Sequence, residues 1–222
     1  MHDGSLRRGF EIISQPATLE YHTKEYGWDK MMKKALSLGY RSHDAGTCGM
    51  HVHVDRAYFS DSFVDEKLAM ALLVVNNRSW LMKFSRRNDY YYCPFPNGTY
   101  DYYQPYKAED FCLKKCQKAG KRYGEDRLRE LEEVMHQHYS CVNTAPRATV
   151  EFRFFRGTLK FDTFVANLQL VEMMCYAVRK FRYEQLCNIN FHWFMRLAKR
   201  RGYKEFVAFA NKRIRGMEDN EA

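Results

Sequence analysis

The sequence contains no apolar run approaching the roughly 20 residues that a helix needs to cross a membrane. No apolar segment follows the first residues either, where Asp3, Arg7 and Arg8 come soon after Met1, so no secretory signal is predicted. From these two absences we expect neither a membrane-spanning nor a signal-bearing protein. We therefore expect a cytoplasmic protein without a membrane partner.

Proline is scarce, and a disulfide framework is not evident. The seven cysteines are an odd number without a compact framework or a regular zinc-binding pattern, so free thiols are expected. Of the five prolines, Pro94, Pro96 and Pro105 fall in one tyrosine-rich stretch, which predicts a long loop over residues 87–107. Its tyrosines either pack the loop onto its own domain or form a surface for a base or a partner.

Acidic residues are too few to balance the basic ones. The formal net charge is +9 and the pI is about 9.1, with most of the excess in the last third of the chain. The basic residues that we take as candidates for partner binding are Arg179, Arg182, Arg196, Lys199, Arg200 and Arg201. Such a surface attracts a polyanion or an acidic protein, and the alternative is a solvated basic helical face.

Two short segments combine an apolar face with a face of ionisable side chains. In residues 48–56, His51, His53 and Asp55 alternate with Met50, Val52 and Val54, which predicts a half-buried strand. In residues 149–158, Glu151 and Arg153 alternate with Val150, Phe152 and Phe154. Imidazole, carboxylate and guanidinium groups that share one cleft are suited to divalent metal and phosphate. Taken singly, each pattern also fits an exposed strand face or a cross-strand ion pair.

Three blocks in this order resemble the phage and bacterial amidoligase family, whose members are related to glutamine synthetases. The first is Asp3-Gly4-Ser5-Leu6 followed by Gly9-Phe10-Glu11-Ile12-Ile13-Ser14-Gln15-Pro16, and the second is Cys48-Gly49-Met50-His51-Val52-His53. The third is Asn143 followed by Thr149-Val150-Glu151-Phe152-Arg153 and Arg156-Gly157-Thr158-Leu159. The resemblance implies an α+β fold with a curved, mainly antiparallel sheet and helices packed on one side, as in glutamine-synthetase-like catalytic domains.

The resemblance also implies an ATP- and Mg²⁺-dependent ligase that joins a carboxylate substrate to an amine substrate. On this basis Glu11, His53 and Glu151 are the expected metal ligands, and Arg153 and Arg156 are the expected catalytic groups. The expected nucleotide contacts are His51, His53, Arg86 and Arg87. Arginine suits these roles because its planar fork binds phosphate oxygens in a bidentate manner.

One feature of the family pattern is missing. Family members usually begin with a strand that carries a G-x-E-x-E motif, whereas this chain begins directly at the first block. An N-terminally truncated catalytic domain with weak Mg²⁺ binding and slow ATP turnover is therefore expected. The alternative is a catalytically inactive phage-type protein, such as an anti-defence inhibitor. Its basic surface would bind nucleic acid, an acidic protein or a nucleoprotein complex. The expected location is the cytosol of a bacterium or of a phage-infected host.

Periodicity predicts the remaining organisation. Residues 9–14, 50–55 and 149–155 are expected to form strands of one sheet, with Glu11, His51, His53, Glu151 and Arg153 on the same face. Helices are predicted over residues 18–38, 60–84, 108–120, 125–138, 162–182, 190–202 and 203–214. We expect an amidoligase-like domain over residues 1–182 and a basic helical extension with an acidic tail over residues 183–222.

Overall fold

The fold is α+β, as the sequence predicted, and is given by a computed structural model that describes residues 9–42, 45, 48–59, 63–86 and 140–214. The elements up to the large gap are α1 (Leu19–Lys24), α2 (Trp28–Ser37), β1 (Gly49–Asp55), a 3-10 turn (Arg56–Tyr58), α3 (Phe63–Asn76) and α4 (Arg78–Ser85). After it come β2 (Val142–Asn143), β3 (Thr149–Arg156), α5 (Phe161–Lys180), α6 (Tyr183–Leu186), α7 (Phe191–Arg201) and α8 (Lys204–Ile214). The predicted tyrosine-rich loop, Arg87, and the helices over 108–138 lie outside the described residues.

A three-stranded antiparallel sheet carries the two polar strand faces. Its order is β1-β3-β2, so β3 is the central strand and pairs with both neighbours. Residues 9–14 are not part of this sheet, and the prediction of a strand there is wrong. The apolar side chains of Phe10, Ile12 and Ile13 are exposed, because no strand among the described residues pairs with this segment and buries one of its faces.

A β-bulge lies in β3 and changes which residues face the core. Met50 pairs with Phe155 and Val52 pairs with Phe152, so two steps along β1 correspond to three along β3. The extra residue inverts the alternation beyond this point. Phe154 and Phe155 are therefore both fully buried, and Arg156, which pairs with Gly49, lies on the same face as Glu151.

The apolar face of the sheet packs into one large hydrophobic core. Phe152, Phe154 and Phe155 of β3 belong to the same buried cluster as residues of α3, α4, α5, α7 and α8. Close packing of aromatic side chains against aliphatic ones supplies most of the stability of such a core. The predicted domain boundary at residue 182 stays a prediction, while Phe194 and Phe206 beyond it lie in this shared cluster.

Two predicted helices are each divided in two. The helix expected over residues 18–38 is broken at Gly27, which has a φ of 78° and adopts a left-handed conformation that glycine tolerates. The helix expected over residues 60–84 is interrupted at Asn77. The Asn77 side chain donates through its amide nitrogen to the carbonyl oxygens of Leu73 and Ile189 and accepts through its oxygen from the Trp80 indole, so side-chain hydrogen bonds hold the chain at this break.

The remaining helix ends match their capping residues closely. Asn190 caps α7 through a hydrogen bond that its side chain accepts from the backbone of Trp193, and Gly202 ends the helix with a φ of 70°, as predicted. Helix α5 begins at Phe161, one residue before the predicted cap Asp162, which lies in its first turn. None of the helices in the described ranges combines the length and apolar character required to span a bilayer.

Gly157 joins β3 to the segment before β1 and leaves no space for a side chain. A Cβ added there would meet Ser42 Oγ at 2.5 Å, Cys48 Cβ at 3.0 Å and the Cys48 carbonyl oxygen at 3.1 Å. The Gly157 amide also donates to that carbonyl oxygen, so the backbones cannot separate without losing a hydrogen bond. This close approach explains the glycine at the end of the strand.

We expect Gly157→Ala to lower the free energy of unfolding by about 1 to 3 kcal/mol, because the added methyl group overpacks a fixed contact. Urea unfolding followed by circular dichroism measures the change. Ser42→Ala removes the shortest of the three contacts, so the double variant should lose less stability than the sum of the single variants. An additive double variant, or a Gly157→Ala protein as stable as wild type, would contradict this account of the junction.

Candidate functional site

The pairing of β1 with β3 places the predicted polar residues next to one another. His53 lies directly opposite Glu151, and strand alternation puts His51 and Arg153 on the same face. The prediction that these four residues share one face of one sheet is confirmed by their contacts. The two strands are about a hundred residues apart in the sequence, so these side chains become neighbours only when the chain folds.

Glu151 is the centre of this constellation and is buried. Its Oε1 atom accepts hydrogen bonds from Arg153, at 2.5 Å, and from His51 Nδ1, at 3.1 Å. His53 Nε2 lies 3.6 Å from the same oxygen. The second oxygen, Oε2, accepts a hydrogen bond of 2.9 Å from the side-chain amide of Asn143. A buried carboxylate is thus surrounded by one guanidinium, two imidazoles and one amide.

The ionisation of Glu151 follows from these partners. Burial alone would raise its pKa, but hydrogen bonds from His51 and Asn143, together with the charge of Arg153, lower the pKa to about 2. Glu151 is therefore a carboxylate at neutral pH. Arg153 is only 12% exposed, so the pair is held away from water, where charges interact more strongly.

His53 differs from His51 in its exposure and surroundings. Its side chain is 50% exposed, and Nδ1 contacts the hydroxyl of Thr149 at 3.1 Å. Burial lowers the pKa of His53, and the charges of His51 and Arg153 add to this effect, while those of Glu151 and Glu11 oppose it. We infer that His53 is mainly neutral at pH 7 and presents an uncharged imidazole towards solvent.

Asn143 is a site residue that the candidate set did not include. It is buried in β2, and its side-chain oxygen accepts a hydrogen bond from the backbone of Ala145 while its amide group donates to Glu151. Both bonds fix the amide in one orientation, so Asn143 positions the carboxylate. The signal was present in the sequence, because Asn143 belongs to the third block of the family resemblance.

Glu11 is near the constellation but is not placed by a strand. Its charge raises the pKa of His53, so the carboxylate lies within electrostatic range of the imidazole. The segment that carries it is held by the backbone N–H of Gln15, which donates to the hydroxyl of Tyr26, and Tyr26 stacks on Trp28. Trp28 in turn packs against Phe164 of α5. The N-terminal segment is thus attached to the core through an aromatic cluster.

The two outer arginines predicted for the site lie beyond this centre. Arg156 is on the Glu151 face at the far end of β3, as the bulge dictates. Arg86 directly follows α4 and is stacked on Phe209 at 5.7 Å from the ring centroid. The structure therefore brings His51, His53, Glu151 and Arg153 together as one contact group and places Arg86 and Arg156 outside it.

The six basic residues proposed for partner binding fall into two groups. Arg179 stacks on the ring of Tyr58, and Arg201 forms an ion pair with Glu172 and stacks on Tyr176. These two are engaged within the fold. The others are exposed on and around α6 and α7, namely Arg182, Arg196, Lys199 and Arg200.

A metal site made by protein side chains alone is absent from the part of the chain that the structure describes. No group of three or more His, Cys, Asp or Glu side chains there is arranged to hold an ion. Glu151 already accepts from Arg153, His51 and Asn143. Mg²⁺, however, is usually held by one or two carboxylates together with substrate phosphates, so a carboxylate such as Glu151 could take part in a site that the phosphates complete. The assignment of Glu11, His53 and Glu151 as ligands stays a prediction.

The lowered pKa of Glu151 predicts how the free energy of unfolding changes at low pH. Folding lowers the pKa of Glu151 from 4.5 to about 2. The ionised carboxylate therefore stabilises the folded state above about pH 5, and this stabilisation is lost as the pH falls towards 2. The difference in unfolding free energy between wild type and Glu151→Gln should shrink by about 3 kcal/mol over this range. Urea titrations at pH 5, 4, 3 and 2 measure it. A difference that stays constant with pH would show that Glu151 has an ordinary pKa.

Comparison with known proteins agrees with the resemblance of the three blocks. Residues 1–175 match the model of a family described as "putative amidoligase enzyme", which covers Glu11, the β1 and β3 residues and most of α5. No curated protein and no solved structure matches the chain. Since the match extends over more than half of the sequence, the chain belongs to this family of amidoligases, as the sequence predicted.

Proposed function

We propose that the protein is an ATP-dependent ligase that forms an amide bond between a carboxylate substrate and an amine substrate. The observation that carries the proposal is the buried Glu151 carboxylate, which is ringed by Arg153, His51 and His53 on the paired strands of an amidoligase family member. We also propose that the sheet is part of a glutamine-synthetase-like catalytic domain.

The reaction has two steps. An oxygen of the substrate carboxylate attacks the γ-phosphorus of ATP, the bond to the β-phosphate oxygen breaks, and an acyl phosphate and ADP form. The amine then attacks the acyl carbon, loses a proton, and displaces inorganic phosphate to leave the amide. Negative charge develops on phosphate oxygens in both steps, so cationic donors that are already in place lower the barrier.

Each site residue has a role in this scheme. Arg153 is oriented by Glu151 and, with Arg156, neutralises the transferred phosphoryl group. His51, His53, Arg86 and Arg87 contact the nucleotide. Glu11, His53 and Glu151 would hold Mg²⁺ together with the nucleotide phosphates, and the ion would supply additional positive charge where the phosphoryl group is transferred. Asn143 keeps the Glu151 carboxylate in its orientation.

The test follows both products of the first step. The full chain is incubated with ATP, Mg²⁺ and a panel of carboxylates in the presence of hydroxylamine, which traps an acyl phosphate as a hydroxamate. We expect ADP and hydroxamate in equal amounts with at least one carboxylate, and neither without it. ADP released without any carboxylate would indicate a simple ATPase. No ADP and no hydroxamate over a broad panel would contradict the ligase proposal.

One observation favours a second candidate function, which is binding without catalysis. The exposed residues Arg182, Arg196, Lys199 and Arg200 form a basic surface that suits nucleic acid or an acidic nucleoprotein complex, as for a phage anti-defence protein in a bacterial cytosol. Affinity for duplex DNA should then fall with a log–log salt slope of about −0.9 for each phosphate neutralised. Retained affinity in a variant with Arg196, Lys199 and Arg200 changed to Glu would reject this candidate.

A further inference from the structure

We propose that Arg86, Arg156 and Arg213 form a binding site for a polyphosphate chain, which the C-terminal helix α8 completes. The inference rests on the proposed function for the source of that chain, a nucleoside triphosphate, and extends it to a helix outside the family-matched residues 1–175. In the sequence, Arg213 stands out only as one of many basic residues near the C-terminus. In the structure it lies in the last turn of α8.

A single aromatic ring joins two of the three arginines. The guanidinium carbon of Arg86 lies 5.7 Å from the ring centroid of Phe209, and that of Arg213 lies 5.5 Å from it. Phe209 is fixed in turn by Phe84, at 4.9 Å between ring centroids. The electron-rich ring stabilises both cations, so two like charges are held close together by the packing of α8 against α4.

The third arginine comes from the sheet. Arg156 is turned onto the Glu151 face by the bulge in β3, and α4 packs against β3. The pKa of Arg86 is lowered, first by burial and then by the positive charges of Arg213 and Arg156. Three elements that are distant in sequence thus place their guanidinium groups within electrostatic range of one another.

This positive charge lacks a partner in the described ranges of the chain. There, none of the three arginines forms an ion pair with a carboxylate. Mutual repulsion between like charges opposes such a cluster, and a bound anion removes the repulsion. The arrangement is therefore expected to attract a ligand with several negative charges.

The backbone of Arg86 supports a functional reason for its position. With φ of 60°, Arg86 is the only residue other than glycine that has a positive φ in the described part of the chain. The left-handed conformation is unfavourable for a residue with a Cβ atom and is often retained where function requires it. Here it ends α4 at the point where Arg86 meets Phe209.

The chemistry of the cluster selects a phosphate chain. Each guanidinium group presents a planar fork of N–H donors that matches two phosphate oxygens. Stacking on a ring leaves these donors available, because they lie in the plane of the guanidinium and the ring covers only its face. Three such groups match the several negative charges of a triphosphate. The cluster should therefore recognise the chain itself, with or without a nucleoside attached.

The experiment measures binding by calorimetry with sodium tripolyphosphate and, separately, with ATP, both without divalent metal. Arg213→Gln is compared with Lys212→Gln, which removes the same charge from the neighbouring exposed position in the same helical turn. We expect wild type to bind both ligands and Arg213→Gln to weaken both by about tenfold or more. Lys212→Gln should change affinity by less than about twofold, since the two cations stacked on the Phe209 ring are Arg86 and Arg213 and an exposed charge outside the cluster contributes little.

Three outcomes would overturn the proposal. The first is that wild type binds neither ligand, and the second is that it binds ATP but not tripolyphosphate. The third is that both variants lose affinity equally, which would indicate a general charge effect. Circular dichroism confirms that both variants are folded. If the expected pattern appears but no hydroxamate forms in the ligase assay, the proposed function alone fails. If hydroxamate forms and Arg213→Gln binds like wild type, this inference alone fails.

Discussion

Glu151→Gln is expected to reduce ATP-dependent hydroxamate formation by about 100-fold or more, because it removes the one buried charge that organises the site. The carboxylate orients Arg153 and accepts from His51 and Asn143. Glutamine has a single acceptor oxygen and would direct its amide group at another donor. The guanidinium then loses both its charge partner and its orientation towards the transferred phosphoryl group.

A loss of activity is informative only if the fold survives, since removing one partner of a buried ion pair costs about 3 to 5 kcal/mol. Glu172→Gln is the matched control. Glu172 lies on helix α5 and accepts from Arg201 and Tyr203, so this change breaks an arginine–glutamate pair that is more exposed and lies away from the strand face. We expect Glu172→Gln to retain activity within about threefold at a temperature where both variants are folded. Equal activities for Glu151→Gln and wild type would remove Glu151 from the mechanism.

The composition of the site was predictable from the sequence because strand alternation is a local property. His51 and His53 share a face at a spacing of two residues, and so do Glu151 and Arg153. Since each segment has one apolar face, their pairing in a half-buried sheet can only bring the polar faces together. The structure confirms this with His53 opposite Glu151.

The position of Arg156 required information that simple alternation does not contain. Strict alternation from Glu151 would turn Phe155 towards the polar face and Arg156 into the core. The bulge reverses both, which buries two consecutive phenylalanines and returns the arginine to the polar face. The signal in the sequence is the pair Phe154-Phe155, because two consecutive buried aromatic residues are incompatible with strict alternation and favour a bulge.

Tertiary context explains the errors in the predicted elements. A strand exists only if another strand pairs with it, and residues 9–14 have the alternation without a partner in the described sheet. Helix periodicity, likewise, continues across Gly27 and Asn77, whereas the chain turns at both. Such turns are set by contacts with distant residues, for example the Ile189 carbonyl that accepts from Asn77.

Phe84→Ala is expected to lower the free energy of unfolding by about 3 to 5 kcal/mol, the usual range for removing a fully buried phenylalanine. Phe84 is completely inaccessible to solvent and its ring contacts Phe206 and Phe209, at centroid distances of 5.2 Å and 4.9 Å. The cavity would form between α4 and α8, where collapse is limited by the surrounding rings.

The same change should also weaken binding of tripolyphosphate, since Phe84 fixes the ring on which Arg86 and Arg213 are stacked. Leu81→Ala is the matched control, because Leu81 is equally buried in the same helix and its truncation costs about 2 to 5 kcal/mol. Urea unfolding should show a large loss for both variants, and calorimetry should show weaker binding only for Phe84→Ala. If both variants bind tripolyphosphate alike while folded, Phe209 does not organise the arginines. If Phe84→Ala costs less than about 1 kcal/mol, well below the expected range, then α8 is not packed against α4 as described.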